Sequence, residues 1–120
     1  MVSSFKNQFI QEIKVFNLNE VGLTGGCLGC LRCGYDNECA YKGKDSFVKF
    51  YNKHIKSSDV IVYAGEIVDR YLSSDWKKYF DRRFFNTHAP TMTGKQIGYI
   101  ISGPLSQLPN FKQILDANTE

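Results

Sequence analysis

Outside residues 27–39 the sequence of 120 residues has no cysteine, and it carries only two histidines, three prolines and one tryptophan. The histidines, His54 and His88, lie well away from the cysteine segment, so the paired Cys/His knuckles usual in structural zinc sites are missing. No apolar run approaches the length of a membrane span, and residues 1–16 mix Ser, Lys, Asn, Gln and Glu with single apolar residues instead of forming a signal peptide. A cytoplasmic protein is expected, with no membrane partner. The 15 basic and 12 acidic residues are interspersed and leave a net charge of +3, without the basic stripe that tracks a phosphate backbone, so nucleic acid is excluded as an expected partner. There is no Ser/His/Asp arrangement, paired-carboxylate signature or P-loop, which removes hydrolase and kinase classes. No repeat, low-complexity tract or linker divides the chain, and residues 1–120 are read as one domain.

What is present suffices for a core: 42% of residues are hydrophobic and 14% aromatic. Phe5, Phe9 and Ile10 share a helical face near the start. Residues 12–18 carry Ile13, Val15, Phe16 and Leu18 and predict a buried strand running into a glycine-rich loop. Asp45 is placed to cap a helix presenting Phe47, Phe50, Tyr51, His54 and Ile55. The nearly unbroken β-branched and aromatic run of residues 60–64 predicts a second strand, buried on both faces. A helix opening at Ser73 or Ser74 shows an aromatic stripe of Trp76, Tyr79, Phe80, Phe84 and Phe85, which at this spacing is a core face. Residues 96–102 predict a third strand, and Pro109 sits in the first turn of a last helix. Strand and helix alternate strictly, the pattern of an α/β fold whose parallel strands are joined by helical crossovers.

Cys27, Cys30, Cys33 and Cys39 follow the spacing C-x2-C-x2-C-x5-C. Such overlapping spacing lets thiolates converge from one loop on a single centre, as an iron–sulfur cluster requires, and Gly25, Gly26, Gly29 and Gly34 give the backbone freedom to wrap it. One [4Fe–4S] cluster with all four ligands local is the simplest fit. The pattern differs from the ferredoxin run in its last gap and in having Ala40, not proline, after the final cysteine. Zinc and a metal-free dithiol site are the alternatives, and in a reducing cytosol structural disulfides rank last.

The stretch TGGCLGCLRCGYDNECAYKGKDSF, followed by SDVIVYAGEI, LSSDWKKYFDRRF and GKQIGYIISGP, resembles the iron–sulfur flavoprotein branch of the NADPH-dependent FMN reductases over about residues 8–116. Ser73, Asp81 with Arg82, and Gly94 with Lys95 match positions of that family's pattern. The resemblance implies a flavodoxin-like three-layer sandwich around a parallel sheet, with the full fold's first and last strands outside this sequence. It also implies an NAD(P)H-dependent FMN reductase-type oxidoreductase, with electrons passing between FMN and the cluster. FMN would lie at the carboxyl ends of the strands, against Gly65, Glu66, Ile67 and Val68. The family's proline and tyrosine in that loop fall on Glu66 and Val68, and its phosphate-binding loop would precede this sequence. Exposed sheet edges imply a homo-oligomer that covers them. Asp81 and Arg82 are read as a helix cap or interface contact, not as catalytic. The alternative function, from another class, is a catalytically silent flavodoxin-like fragment or assembly module with a metal-free or zinc-binding cysteine site.

Overall fold

A computed structural model describes residues 1–119. Its helices are α1, Val2–Lys6; α2, Arg32–Asp36; α3, Phe47–Phe50, which widens into a π turn at Tyr51–Ile55; α4, Ser74–Arg82, which tightens into a 3-10 turn at Arg83–Asn86; and α5, Pro109–Ala117. Two strands, β1, Val60–Glu66, and β2, Gln96–Ser102, form where β-branched and aromatic residues run together. They pair in parallel, Val60 opposite Gln96 and Tyr63 opposite Tyr99, with α4 in the crossover that a parallel pair demands.

Strand alternation decides which face is covered. Ile61 and Tyr63 are 6% and 4% exposed, whereas Val60 and Val62 on the opposite face are 64% and 37% exposed. The rings of Trp76, Tyr79 and Phe80 on α4 meet Tyr63 at centroid separations of 5.7, 5.5 and 5.8 Å, and the Tyr63 and Tyr79 hydroxyls hydrogen-bond at 3.1 Å. Phe47, Tyr51 and Ile55 from α3 and its π turn join the same cluster. Phe111 and Leu115 of α5 bury against Leu72, with Tyr99 and Ile101 of β2 beside them. Helices α3, α4 and α5 therefore share one face of the strand pair.

Three sequence expectations change. The helix expected to carry Phe5, Phe9 and Ile10 on one face ends at Lys6, so only Phe5 lies on it. Residues 12–17 take no regular secondary structure and Leu18 opens a 3-10 turn, so no strand forms there, and among the described residues the sheet has two strands, not three. A strand exists only when a neighbour takes up its backbone groups, and β1 offers residues 12–18 no ladder. The run at residues 60–64, expected to be buried on both faces, is buried on one. The α/β character stands as a parallel pair under one helical layer, coarser than a three-layer sandwich.

Lys95, after the turn at Gly94 (φ +79°), donates to the carbonyl oxygens of Lys56 at 2.8 Å and Ser58 at 2.6 Å. It closes the carbonyl end of the helix that precedes β1. The Gly-Lys pair is thus a structural clasp between the entries to β1 and β2.

Candidate functional site: the cysteine loop

The loop between residues 25 and 45 contains four left-handed residues: Gly29 (φ +64°), Leu31 (φ +57°), Asn37 (φ +57°) and Gly43 (φ +79°). Glycine and asparagine enter this region readily, but for leucine it costs roughly 1–2 kcal/mol. Leu31 immediately precedes α2, so the strain is spent on turning the chain between Cys30 and Cys33. That turn carries Cys33 inside, at 7% exposure, and leaves Cys27 and Cys30 at the surface with Cys39 half-buried. The Gly29 N–H donates to Cys27 Sγ at 3.5 Å. All four sulfur-bearing residues line one pocket of about 30 Å³, walled by Tyr41, Arg82, Phe84 and Phe85.

Both flanks of the loop are held by a buried ion pair. Arg82 Nη1 and Nη2 donate to the Asp45 carboxylate at 2.7 and 3.0 Å, with both side chains essentially inaccessible to solvent. Arg82 Nη1 also donates to the Gly25 carbonyl at 3.2 Å, and the guanidinium stacks on Tyr41, 3.8 Å from its ring centre. Asp45 further accepts from Thr24 Oγ1 at 3.1 Å and from the Phe47 N–H at 3.2 Å; the N-cap position itself falls on Ser46, whose side chain makes no cap bond, so Asp45 holds the first turn from one residue before the cap expected of it. The last turn of α4 thereby fixes Thr24 and Gly25 before the cysteines, and Tyr41 and Asp45 after them.

The pair sets the local electrostatics. Burial pushes the Asp45 carboxyl upward, but the Arg82 hydrogen bonds and charge outweigh it and hold Asp45 below its ordinary value. Burial works against the Arg82 charge too, and the Asp45 carboxylate more than offsets it, with Cys39 adding to the effect. Burial raises the Cys33 thiol, and the nearby Cys27, Cys30 and Cys39 push it the same way.

A thiolate-ligated centre fits this donor set chemically. Four soft sulfur donors share one pocket with a buried cation whose Nε hydrogen has no partner. In the thiol form described, no group of three or more His, Cys, Asp or Glu side chains is drawn together as an ion would require, among the described residues.

Gly65, Glu66, Ile67 and Val68 stand apart from that pocket. Gly65 and Glu66 complete β1, the Ile67 N–H donates to the Ser102 carbonyl at 2.9 Å, and Val68 closes a tight turn with Tyr71 at 2.7 Å. A Cβ on Gly65 would lie 3.0 Å from both Leu72 and Trp76, so glycine is required by packing of the following segment. Ile67 leans on Gly103, while Glu66 and Val68 face solvent. These four residues present no cradle for a flavin ring and no cationic side chain for its phosphate, so they do not fit FMN by themselves.

Other residues take the ordinary roles foreseen for them. His54 packs on the Phe16 ring at 4.5 Å, His88 meets Phe84 at 5.4 Å in a loop, and Trp76 and Tyr63 belong to the core. Asp45 is foreseen only as a cap and Arg82 only as part of a charged helix end. Nothing in the sequence reveals that they meet, because 37 residues separate them. Among the described residues no helix is long and apolar enough to cross a membrane. No family model, curated protein or solved structure matches the chain.

Proposed function

We propose that the chain is an electron-transfer protein of the iron–sulfur flavoprotein type, in which Cys27, Cys30, Cys33 and Cys39 ligate one [4Fe–4S] cluster. The observation that carries this is that all four cysteines line one pocket beside a buried arginine with an unused N–H. When bound, a cluster supplies one-electron transfers. The chain's own residues supply the rest. Cys33, raised by burial, gives up its proton as it becomes a ligand. Arg82 offsets the negative charge that four thiolates bring, and Phe84 and Phe85 limit water at one wall. A reducing cytoplasm is the compartment in which four free thiols persist for ligation. An FMN reductase-type activity belongs to the same family resemblance, but no step is routed through flavin, since residues 65–68 lack a cradle. Self-association over a free sheet edge accompanies this function.

A metal-free dithiol site is the second reading, favoured by the exposure of Cys27 and Cys30. Anaerobic purification followed by iron, sulfide and zinc analysis and a visible spectrum separates the two. Brown protein with about four iron atoms per chain supports the cluster. Colourless protein whose thiols cycle with a disulfide, or protein holding zinc, overturns it.

A further inference from the structure

The wall of the cysteine pocket holds one charged side chain among the described residues, Arg82, and its donors are unequally used. Nη1 and Nη2 take the Asp45 carboxylate, Nη1 also takes the Gly25 carbonyl, and the Tyr41 ring covers one face of the guanidinium. The Nε–H is left over, buried and without a partner. Buried donors are ordinarily paired, so one left free in a pocket wall points to an acceptor that the thiol form lacks. Leu28, Leu31, Ala40, Phe84 and Phe85 offer no side-chain acceptor, and the stacked Tyr41 ring lies against the guanidinium face and not in line with its N–H groups. The sulfurs remain.

The four sulfurs are not equivalent. Cys27 Sγ already accepts from the Gly29 N–H at 3.5 Å, Cys30 is exposed, and Cys33 belongs to the buried core. Cys39 is half-buried, and in its ionised form it supports the Arg82 charge both electrostatically and as a hydrogen-bond acceptor. A neutral thiol sulfur accepts weakly, whereas an ionised acceptor binds an N–H strongly. We infer that Arg82 is a positioning residue for the proposed centre, its Nε–H held ready for the Cys39 sulfur once that sulfur is a metal ligand, and that this bond sets the centre's reduction potential; the second part rests on the cluster reading above. Because Asp45 balances its net charge and fixes its plane with two bonds, what Arg82 brings to Cys39 is chiefly a directed N–H. Hydrogen bonds to ligand sulfurs favour the more negative, reduced form of a cluster, so this one raises the potential.

Two measurements test the assignment. In the full chain loaded with cadmium ions, a diamagnetic thiolate-binding probe, the NMR resonance of the Arg82 Nε–H moves downfield on loading, exchanges more slowly with solvent and shows a through-space contact to the Cys39 β-protons. An unmoved resonance, or a contact to Cys27, Cys30 or Cys33 in its place, overturns the inference. In the iron-loaded chain, Arg82→Lys keeps a cation opposite Asp45 and removes the Nε–H, and the midpoint potential followed by visible absorbance falls. About a tenfold loss in the one-electron reduction equilibrium, ~59 mV, is expected. An unchanged potential in a variant that holds the same iron overturns the inference and leaves the cluster standing, because a purely structural arginine would lower the urea midpoint without moving the potential. Should Arg82→Lys fail to fold, the resonance in the native chain decides. A chain that binds cadmium but no iron removes the cluster reading and the claim on potential, with the Cys39 bond decided by the resonance alone, and one that binds neither overturns both.

Discussion

Replacing Asp45 with alanine isolates what the buried ion pair does for the cysteine loop. In the native chain the carboxylate accepts from Arg82 at 2.7 and 3.0 Å, from Thr24 at 3.1 Å and from Phe47 N–H at 3.2 Å. Its removal strands a guanidinium that is 0% exposed, leaving it the Gly25 carbonyl and the Tyr41 ring. Breaking a buried pair from one side costs roughly 3–5 kcal/mol, chiefly because a charge is left without compensation. The lost hydrogen bond from the Phe47 N–H, about 1 kcal/mol on its own, lies within that figure. Asp45→Ala is therefore expected to lose about 3–5 kcal/mol, a large part of the ~5–15 kcal/mol typical of a domain. Asp45→Ala combined with Arg82→Met strands no charge, and its cost falls short of the two single losses by about 1–3 kcal/mol. Urea unfolding at neutral pH, with the four proteins of the cycle compared by linear extrapolation, measures both quantities. A single-variant loss below about 1 kcal/mol, or strict additivity, would refute the account, since either means the pair is solvated and does not hold the loop.

The remaining expectations concern the same loop. Asp45 has a depressed folded-state value, so its contribution is complete above the ordinary carboxylate range near ~3.9 and is lost as pH falls through the folded value. Between pH 6 and pH 3 the urea midpoint of the native chain should fall further than that of Asp45→Asn, and equal falls would remove Asp45 from the acid response. Leu31 sits at φ +57° with its side chain 61% exposed, so Leu31→Gly relieves strain at little loss of burial. A gain of about 0.5–1 kcal/mol is expected by thermal or urea unfolding, and a loss would show that the leucine side chain contributes more than its backbone costs. Iodoacetamide followed by peptide mass mapping should modify Cys27 and Cys30 before Cys33, which is buried and raised. The lag of Cys33 should be on the order of tenfold and should disappear in Asp45→Ala, whereas equal rates in the native chain would place Cys33 outside.

Local pattern was enough wherever an element's partner is also local or its sequence unambiguous. The β-branched run from Gln96 yields β2 with the bounds the sequence predicts, and Trp76, Tyr79 and Phe80 of the α4 stripe fall on Tyr63 as a core face, whereas Phe84, expected in the same stripe, lies past the helix and is exposed. β1 extends two residues past its expected end, from Ala64 to Glu66, because Ile101 and Ser102 supply ladder partners for Gly65 and Glu66. Residues 12–18 show the opposite. Their apolar composition is strand-like, but pairing is a property of two segments, and no described segment pairs with them. The four cysteines are legible from spacing alone, whereas the residues that fix their loop are not. Asp45 and Arg82 become neighbours only after α3 and α4 dock through Phe47 and Tyr79, whose rings meet at 5.7 Å.

That dependence has a chemical consequence. The cysteine loop contributes a single buried cysteine to the core, so its shape is imposed from outside, mainly through one guanidinium that binds the chain before the cysteines and after them. Arg82 is also the charged side chain in the wall of their pocket. Negative charge gathered on the sulfurs would be attracted to the same group that clamps the loop to α4, so the proposed centre and the fold draw on one cation. Substituting Arg82 would thus weaken both together. Substituting an exposed cysteine such as Cys27 would affect only the proposed centre, because that side chain takes no part in the buried core.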